Sequence, residues 1–139
     1  MLRISKLTDY AIVVLASLAS SPKGRMAAGE LAELTGLPEP TVSKVLKLVS
    51  KQSWMESTRG VNGGYRLAST PDAINVKNII AAIEGPVSLT SCTDENGKAC
   101  DYHSKCSMNG CWDPINKAIN DSLENVTLAD LMKQKRAAS

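Results

Sequence analysis

The stretch that decides the fold is residues 27–49, which read AAGELAELTGLPEPTVSKVLKLV. Residues 27–35 place apolar side chains at helical spacing, and Gly36 follows them where a left-handed helix cap is favoured. Pro40 fits the first turn of a second helix, because the N–H that proline lacks has no helical partner there. Two helices joined by a short glycine-containing turn form a helix-turn-helix, and this stretch predicts one.

The second of these helices has two chemically different faces. Its apolar positions, which point inward, are Val42, Val45, Leu46 and Val49. The positions left for its outer face include Thr41, Ser43, Lys44 and Lys47. Hydroxyl and ammonium groups on such a face can reach base edges and phosphates in the major groove of DNA. These four residues are candidate DNA-binding residues, and the alternative is a small helical domain with solvated lysines.

A hairpin follows the helix pair. Residues 55–58 and 65–67 have the composition of short strands, and the segment Arg59-Gly60-Val61-Asn62-Gly63-Gly64 lies between them. A hairpin behind a helix-turn-helix is a wing, and Arg59 at its tip could enter a minor groove. Residues 5–20 and residues 75–84 show the apolar spacing of two further helices. The predicted fold is therefore mainly α-helical with a small β-hairpin, a winged helix-turn-helix.

Length, charge and the missing catalytic motifs narrow the class of protein. The chain has 139 residues, 43% of them hydrophobic, which suits one globular unit. Residues 1–70 carry nine Lys and Arg against five Asp and Glu, and a basic half favours contact with phosphates. No apolar run approaches the roughly 18 residues of a membrane span and no secretory signal is visible, so we expect a cytoplasmic protein. No nucleophile–base pair, phosphate loop or carboxylate pair is visible, so we do not expect an enzyme.

All the cysteines fall within a 20-residue window. They are Cys92, Cys100, Cys106 and Cys111, separated by seven, five and four residues. In a reducing cytosol, clustered thiols more often bind metal or react than form disulfides. Zinc sites usually contain a closely spaced cysteine pair, which is missing here, whereas wide spacing in a loop suits an iron–sulfur cluster. His103 is a further possible ligand, and Cys111, which precedes Trp112, could instead be a small buried apolar residue.

A last amphipathic segment follows the cysteine loop. Asp113 is a candidate N-cap, with Pro114 behind it. The apolar face of the predicted helix comprises Ile115, Ala118, Ile119, Leu123 and Val126. A monomer of this size could not fully bury that face, so we expect the helix to pair with a second copy of the chain. Thr127 and Asp130 are spaced as a capping box for one more short helix.

Several segments together resemble one family. They are Leu2-Arg3-Ile4-Ser5 leading into a helix, the run STRGVNGGY from Ser57 to Tyr65, and the spaced cysteines. On these motifs the chain resembles the iron–sulfur winged-helix transcriptional regulators of the IscR and NsrR type. The run Val126-Thr127-Leu128-Ala129-Asp130-Leu131 after a Trp-led helix is most similar to the regulators of SUF operons. The resemblance covers nearly the whole chain.

The resemblance implies a homodimer that holds an iron–sulfur cluster. The cluster ligands that it implies are Cys92, Cys100 and Cys106. The cluster type that we favour is [2Fe-2S] over [4Fe-4S]. Asn109 stands where IscR-like members carry a ligating histidine, so the resemblance leaves the fourth ligand open. Asp9 matches the position from which NsrR-like members supply a carboxylate across the dimer, and we favour Asp9 over Cys111 for this ligand.

From these features we predict a DNA-binding transcriptional regulator, a repressor or dual regulator of iron–sulfur assembly or stress genes. Cluster occupancy or redox state would control its affinity for a double-stranded, palindromic operator. We divide the chain into a DNA-binding domain at residues 1–85, a cluster-binding loop at 86–112, and a dimerisation helix with its tail at 113–139. Two alternatives stay open: a zinc-stabilised DNA-binding protein without redox sensing, and a protein-binding adaptor.

Overall fold

A computed structural model describes residues 2–94, 97 and 100–134, and the tail after residue 134 lies outside the described residues. The helices are α1 Lys6–Ser20, α2 Ala28–Thr35, α3 Glu39–Val49, α4 Val76–Glu84, α5 Asp113–Glu124 and α6 Leu128–Lys133. The strands are β1 Arg25–Met26, β2 Met55–Thr58 and β3 Gly64–Leu67, and 3₁₀ turns cover Pro71–Ala73 and Ser91–Thr93. Of the helices in these ranges, none is both long enough and apolar enough to span a membrane. The predicted class, mainly α-helical with a small hairpin, is confirmed.

The predicted helix-turn-helix consists of α2 and α3. Gly36 takes a left-handed backbone conformation with φ of 76°, and its N–H donates to the Ala32 carbonyl over 2.9 Å. Because a side chain would strain the backbone at this φ, glycine lets α2 end and the chain turn. Pro40 lies in the first turn of α3, as predicted. The fully buried inner face of α3 contributes Val42, Val45, Leu46 and Val49.

A single hydrophobic core lies around α1, which packs against α2, α3, α4 and α6. The core residues from α1 and α4 are Ala11, Val14, Leu15, Leu18 and Ile79. Trp54, just before β2, is buried in the same core, and its carbonyl accepts the Ala68 N–H over 2.9 Å. These contacts fix the base of the hairpin on the helical domain.

The hairpin belongs to a three-stranded antiparallel sheet with the order β1–β3–β2. Glu56 lies opposite Arg66, and Met26 lies opposite Tyr65. The sequence pattern does not predict β1, since two residues are too few to show alternation. Gly64 has a φ of 146°, and a Cβ built on it would lie 2.7 Å from the carbonyl oxygen of Met26. Glycine at position 64 therefore lets the wing pack closely on β1.

The segment after α5 returns to the core. The Leu128 N–H donates to the Ile74 carbonyl over 2.8 Å, and the Leu128 side chain is fully buried. The predicted capping box is confirmed, because the Thr127 hydroxyl accepts the Asp130 N–H over 3.1 Å and the Asp130 carboxylate accepts the Thr127 N–H over 3.0 Å. The division of the chain into three parts stays a prediction, and α6 packs with the N-terminal part.

Helix α5 begins at Asp113, and its N-cap is Trp112. The predicted cap at Asp113 is wrong by one residue, because the Trp112 carbonyl already accepts the Asn116 N–H over 2.8 Å. No residue of α5 is buried in the described chain. Ile115 is 47% exposed and Trp112 is 45% exposed. The apolar side of this amphipathic helix is therefore only partly covered.

Candidate nucleic-acid interface and cysteine loop

The outer face of α3 carries the predicted DNA-binding side chains. Lys44 and Lys47 are exposed, and Thr41 and Ser43 are half-buried. The buried residues on the opposite side fix this orientation, since rotation of α3 would expose them. Neither lysine forms an ion pair with a described residue. Both ammonium groups are therefore available to an external anion.

The wing tip presents Arg59. This residue is exposed and follows β2, and the turn behind it closes where the Gly63 N–H donates to the Gly60 carbonyl over 3.0 Å. Arg66 of β3 is engaged with Glu56 of β2, with its Nε 3.0 Å from the carboxylate. Arg59, by contrast, has no ion pair within the described part of the chain. The wing therefore offers the Arg59 guanidinium to a ligand.

A groove beside α3 is lined partly by residues of α1 that no sequence motif marks as functional. Its lining residues are Lys6, Leu7 and Tyr10 from α1 and Pro40, Thr41 and Lys44 from α3. We call it the α1–α3 groove, and its volume is about 410 Å³. The sequence signal for Lys6 and Tyr10 is weak: they are four residues apart and share one helix face. Only the packing of α1 on α3 places them beside the recognition helix.

The four thiols are all free, and they lie between α4 and α5. The half-buried thiols are those of Cys92 and Cys100, and the exposed ones are those of Cys106 and Cys111. The Cys92 sulfur lies 3.0 Å from the Thr90 hydroxyl oxygen. Hydrogen bonds from this hydroxyl and from the Gly110 backbone N–H lower the pKa of the Cys92 thiol, because both favour the thiolate. The thiolate is the form of cysteine that binds metals.

The candidate metal ligands are not gathered at one point. Within residues 2–94, 97 and 100–134, no three His, Cys, Asp or Glu side chains lie close enough to hold one metal ion. The His103 imidazole Nε2 lies 3.1 Å from the Asn109 amide nitrogen, and both residues are exposed. Asp9 is exposed in the first turn of α1, and its carboxylate has no ion pair in the described ranges. The assembly of these donors around a cluster stays a prediction.

Two asparagines attach the start of the cysteine loop to α5. Asn116 Oδ1 accepts the Leu89 N–H over 2.9 Å, and Asn120 Nδ2 donates to the Val87 carbonyl over 3.0 Å. Only a few residues separate these contacts from Cys92. This thiol is therefore connected to α5 through a short, hydrogen-bonded segment.

Another contact attaches the end of α4 to α1. Thr8 is buried, and its hydroxyl donates to Glu84 Oε2 over 2.7 Å. The Ser5 hydroxyl, which caps α1, donates to the Thr8 hydroxyl oxygen over 3.1 Å. Glu84 is the last residue of α4, and the following Gly85 has a φ of 86°. The first turn of α1 is thus hydrogen-bonded to the point where the chain leaves α4 for the cysteine loop.

An apolar surface extends along the less covered side of α5. Residues lining the cavities on this side include Leu2, Ile4, Leu89, Trp112, Ile115, Ile119 and Leu123. Leu2 is 72% exposed and Ile4 is 52% exposed. We call this set the α5 apolar surface. Clustered apolar side chains on a surface often mark an interaction site.

The helix-turn-helix, the glycine-tipped wing, and the cations on α3 and at the wing tip that have no ion pair within the described residues define a class, the winged-helix transcriptional regulators that bind DNA. Within this class the chain belongs to the Rrf2 family, described as iron-dependent transcriptional regulators, which it matches over residues 4–134. The resemblance seen in the sequence is confirmed at the level of this family. Its members are transcriptional regulators and not enzymes.

The chain is also similar to solved structures of such regulators. CymR (YrzC), the global cysteine regulator of B. subtilis, gives a TM-score of 0.72 at 28% identity, covering 98% of this chain and 100% of that one. T. potens IscR gives a TM-score of 0.68 at 26% identity, covering 99% of this chain and 94% of that one. The oxidised form of Staphylococcus aureus CymR shares the fold, with a TM-score of 0.68 at 22% identity over 98% of this chain and 100% of that one.

Proposed function

We propose that this regulator is a homodimer whose affinity for a palindromic operator changes with the occupancy or redox state of an iron–sulfur cluster. The observation that carries the proposal is the position of Cys92 in the chain. Its loop is hydrogen-bonded to α5 through Asn116 and Asn120, and the helix before the loop is hydrogen-bonded to α1 through Glu84. A change at the thiols therefore has a short physical path to both the dimer helix and the DNA-binding domain.

The proposed cluster ligands are Cys92, Cys100 and Cys106. Three free thiols fit the donor chemistry of iron–sulfur clusters, and the lowered pKa of Cys92 favours its ligating form. We propose that the cluster is of the [2Fe-2S] type and not of the [4Fe-4S] type. Either type would supply one-electron redox chemistry at the loop. On this proposal the loop draws its thiols together when the cluster binds, since they do not converge within the described ranges.

For the fourth ligand we propose Asp9 of the partner protomer. Its carboxylate is exposed and directly follows Thr8, whose hydroxyl holds Glu84. A ligand at this position would tie cluster occupancy to α1. Cys111 is less suited, because it directly precedes Trp112 and the backbone there is fixed by the start of α5.

We propose that a second copy of the chain covers the α5 apolar surface. The helix is amphipathic and none of its residues is buried in one chain, so pairing would remove Ile115 and Trp112 from water. Two-fold pairing would place two recognition helices on one face, which matches a palindromic operator. A second copy of the chain as the occupant is supported by the cavity that Leu2 and Ile4 line together with Ile119 and Leu123 of α5.

The proposed base and phosphate contacts come from the outer face of α3 and from the wing. The residues concerned are Thr41, Ser43, Lys44, Lys47 and Arg59. We propose that the targets are iron–sulfur assembly or stress genes, as in SUF-type regulators. The protein would repress these genes, or repress some and activate others. We expect it in the cytoplasm, where DNA and reduced thiols are available.

Anaerobic purification followed by iron and sulfide analysis, absorption spectra and operator titration tests this proposal. We expect a coloured protein with iron and acid-labile sulfide, and an operator affinity that differs between the holo protein and protein stripped of its cluster. Alanine at any one of the three ligand cysteines should abolish the colour while the circular dichroism spectrum stays helical. Equal operator affinity of the two forms would refute control by a cluster.

A thiol-based regulator without a cluster is the second candidate. The similarity to CymR favours it, together with two exposed and unpaired thiols at Cys106 and Cys111. In that case the protein is colourless, and an oxidant such as a disulfide changes its operator affinity. Stoichiometric zinc in the same elemental analysis would instead indicate a zinc-stabilised protein.

A further inference from the structure

We infer that the α1–α3 groove binds a backbone phosphate of duplex DNA, with Lys6 and Tyr10 as donors beside the recognition helix. The inference rests on the proposed operator binding, and it adds α1 to the set of DNA-contacting elements. It concerns residues outside the helix-turn-helix and the wing.

The groove brings donor groups from two helices to one concave surface. Lys6 and Lys44 are exposed at its rim, and Tyr10 is half-buried in its wall. Leu7 and Pro40 supply apolar lining between these polar groups. An ammonium group and a phenolic hydroxyl on one wall are suited to the oxygens of a phosphate.

The charges around the groove are unpaired. Neither Lys6 nor Lys44 forms an ion pair within the described ranges. Elsewhere in the described ranges, Lys23, Lys77 and Lys117 each pair with a carboxylate. Two cations without an ion pair in the described ranges, on one concave surface, attract an anion from solution, because no carboxylate lines that surface.

The acidic residues nearest in sequence do not line the groove. Glu39 begins α3, and its carboxylate lies over α2, 3.6 Å from where a Cβ on Gly29 would stand. Asp9, one turn from Lys6 on α1, is not among the groove-lining residues. The groove lining therefore contains two lysines and no carboxylate, although each of its helices carries an acid in the first turn.

The occupant is a DNA phosphate because the groove is continuous with the predicted base-reading face. Thr41 and Lys44 belong to both the groove and the outer face of α3. When α3 enters a major groove, the anions that border it are the phosphates of the flanking strand. Contacts of this kind fix the register of the protein on the duplex without reading its sequence.

The test is a salt titration of duplex binding by the full-length dimer carrying Lys6→Ala. Each phosphate contact contributes a slope of about 0.9 in log affinity against log salt, so losing one contact in each protomer should reduce the slope by roughly 2. The affinities for operator and for scrambled duplex should fall by the same factor, on the order of tenfold or more at 0.1 M salt. The matched control is Lys117→Ala on α5, which should leave the slope unchanged.

Tyr10→Phe removes the hydroxyl and keeps the aromatic ring, so it tests the contribution of the hydroxyl alone. We expect it to weaken both duplexes by a similar factor while the salt slope stays near that of the wild type, because a neutral donor releases no counterion. The inference is overturned if Lys6→Ala sediments as a normal dimer and shows an unchanged salt slope. It is also overturned if Lys6→Ala loses affinity for the operator but not for the scrambled duplex. If the wild type itself shows no steep salt dependence, operator binding fails as well, and the two failures are thereby distinguished.

Discussion

The hydrogen bond between Thr8 and Glu84 should stabilise the fold and connect the cysteine loop to the DNA-binding domain. Thr8→Val keeps the shape of the buried side chain and removes its hydroxyl, which donates to Glu84 over 2.7 Å and accepts from Ser5 over 3.1 Å. A hydrogen bond to a charged group contributes about 1.5–3 kcal/mol. The lower end of this energy range applies to the Thr8–Glu84 hydrogen bond, because Glu84 is exposed and water can replace the lost donor. The added methyl group of valine recovers a few tenths to about 0.8 kcal/mol.

The net expectation for Thr8→Val is a loss of about 1 kcal/mol in the free energy of unfolding. Urea unfolding at one fixed protein concentration measures it, since the stability of the proposed dimer would depend on concentration. A double-mutant cycle with Glu84→Ala isolates the contact and should give a coupling energy of about 1 kcal/mol. A coupling energy of zero would show that the contact does not contribute to stability.

The same variant tests the functional connection. In Thr8→Val the ratio of operator affinities between cluster-bound and cluster-free protein should move towards one. Thr127→Val is the matched control: it removes the cap of α6, at a cost of about 1 kcal/mol, without touching Glu84. If both variants shift the ratio equally, general destabilisation and not the Thr8–Glu84 contact is responsible.

Three further predictions concern the wing, the dimer and the cluster. Arg59→Ala should weaken operator binding by about 1–3 kcal/mol, measured by fluorescence anisotropy, and an unchanged affinity and salt slope would refute the wing assignment. Ile119→Asp should place a carboxylate in the α5 apolar surface and dissociate the dimer, which analytical ultracentrifugation reports; an unchanged sedimentation coefficient contradicts it. Cys111→Ala should retain the cluster, whereas Asp9→Ala should keep a labile cluster that no longer alters operator affinity. A colourless Cys111→Ala protein beside a normal Asp9→Ala protein would reverse the choice of fourth ligand.

The features that the sequence predicts correctly are those with a local physical cause. Gly36 ends α2 because its own backbone conformation requires a missing side chain. Thr127 and Asp130 cap α6 through groups three residues apart. The cap of α5 lies one residue earlier than predicted, at Trp112, because the Trp112 carbonyl accepts the Asn116 N–H. Side-chain capping preferences do not predict this backbone hydrogen bond.

Sequence patterns do not predict contacts between residues that are far apart in the chain. Strand β1 forms because Arg25 and Met26 pair with β3. Two residues are too few to show the alternation from which a strand is predicted. The Thr8–Glu84 hydrogen bond joins residues 76 positions apart. The α1–α3 groove likewise forms only when α1 packs on the recognition helix.

The sequence by itself determined the helix-turn-helix, the glycine-tipped wing, the capped C-terminal helix and the grouping of the thiols, since each depends on the spacing of neighbouring residues. Only the tertiary structure decided that Lys6 and Tyr10 lie beside α3 and that Glu84 is hydrogen-bonded to α1. The physical reason is that backbone and capping preferences act over a few residues, whereas packing selects which distant surfaces meet.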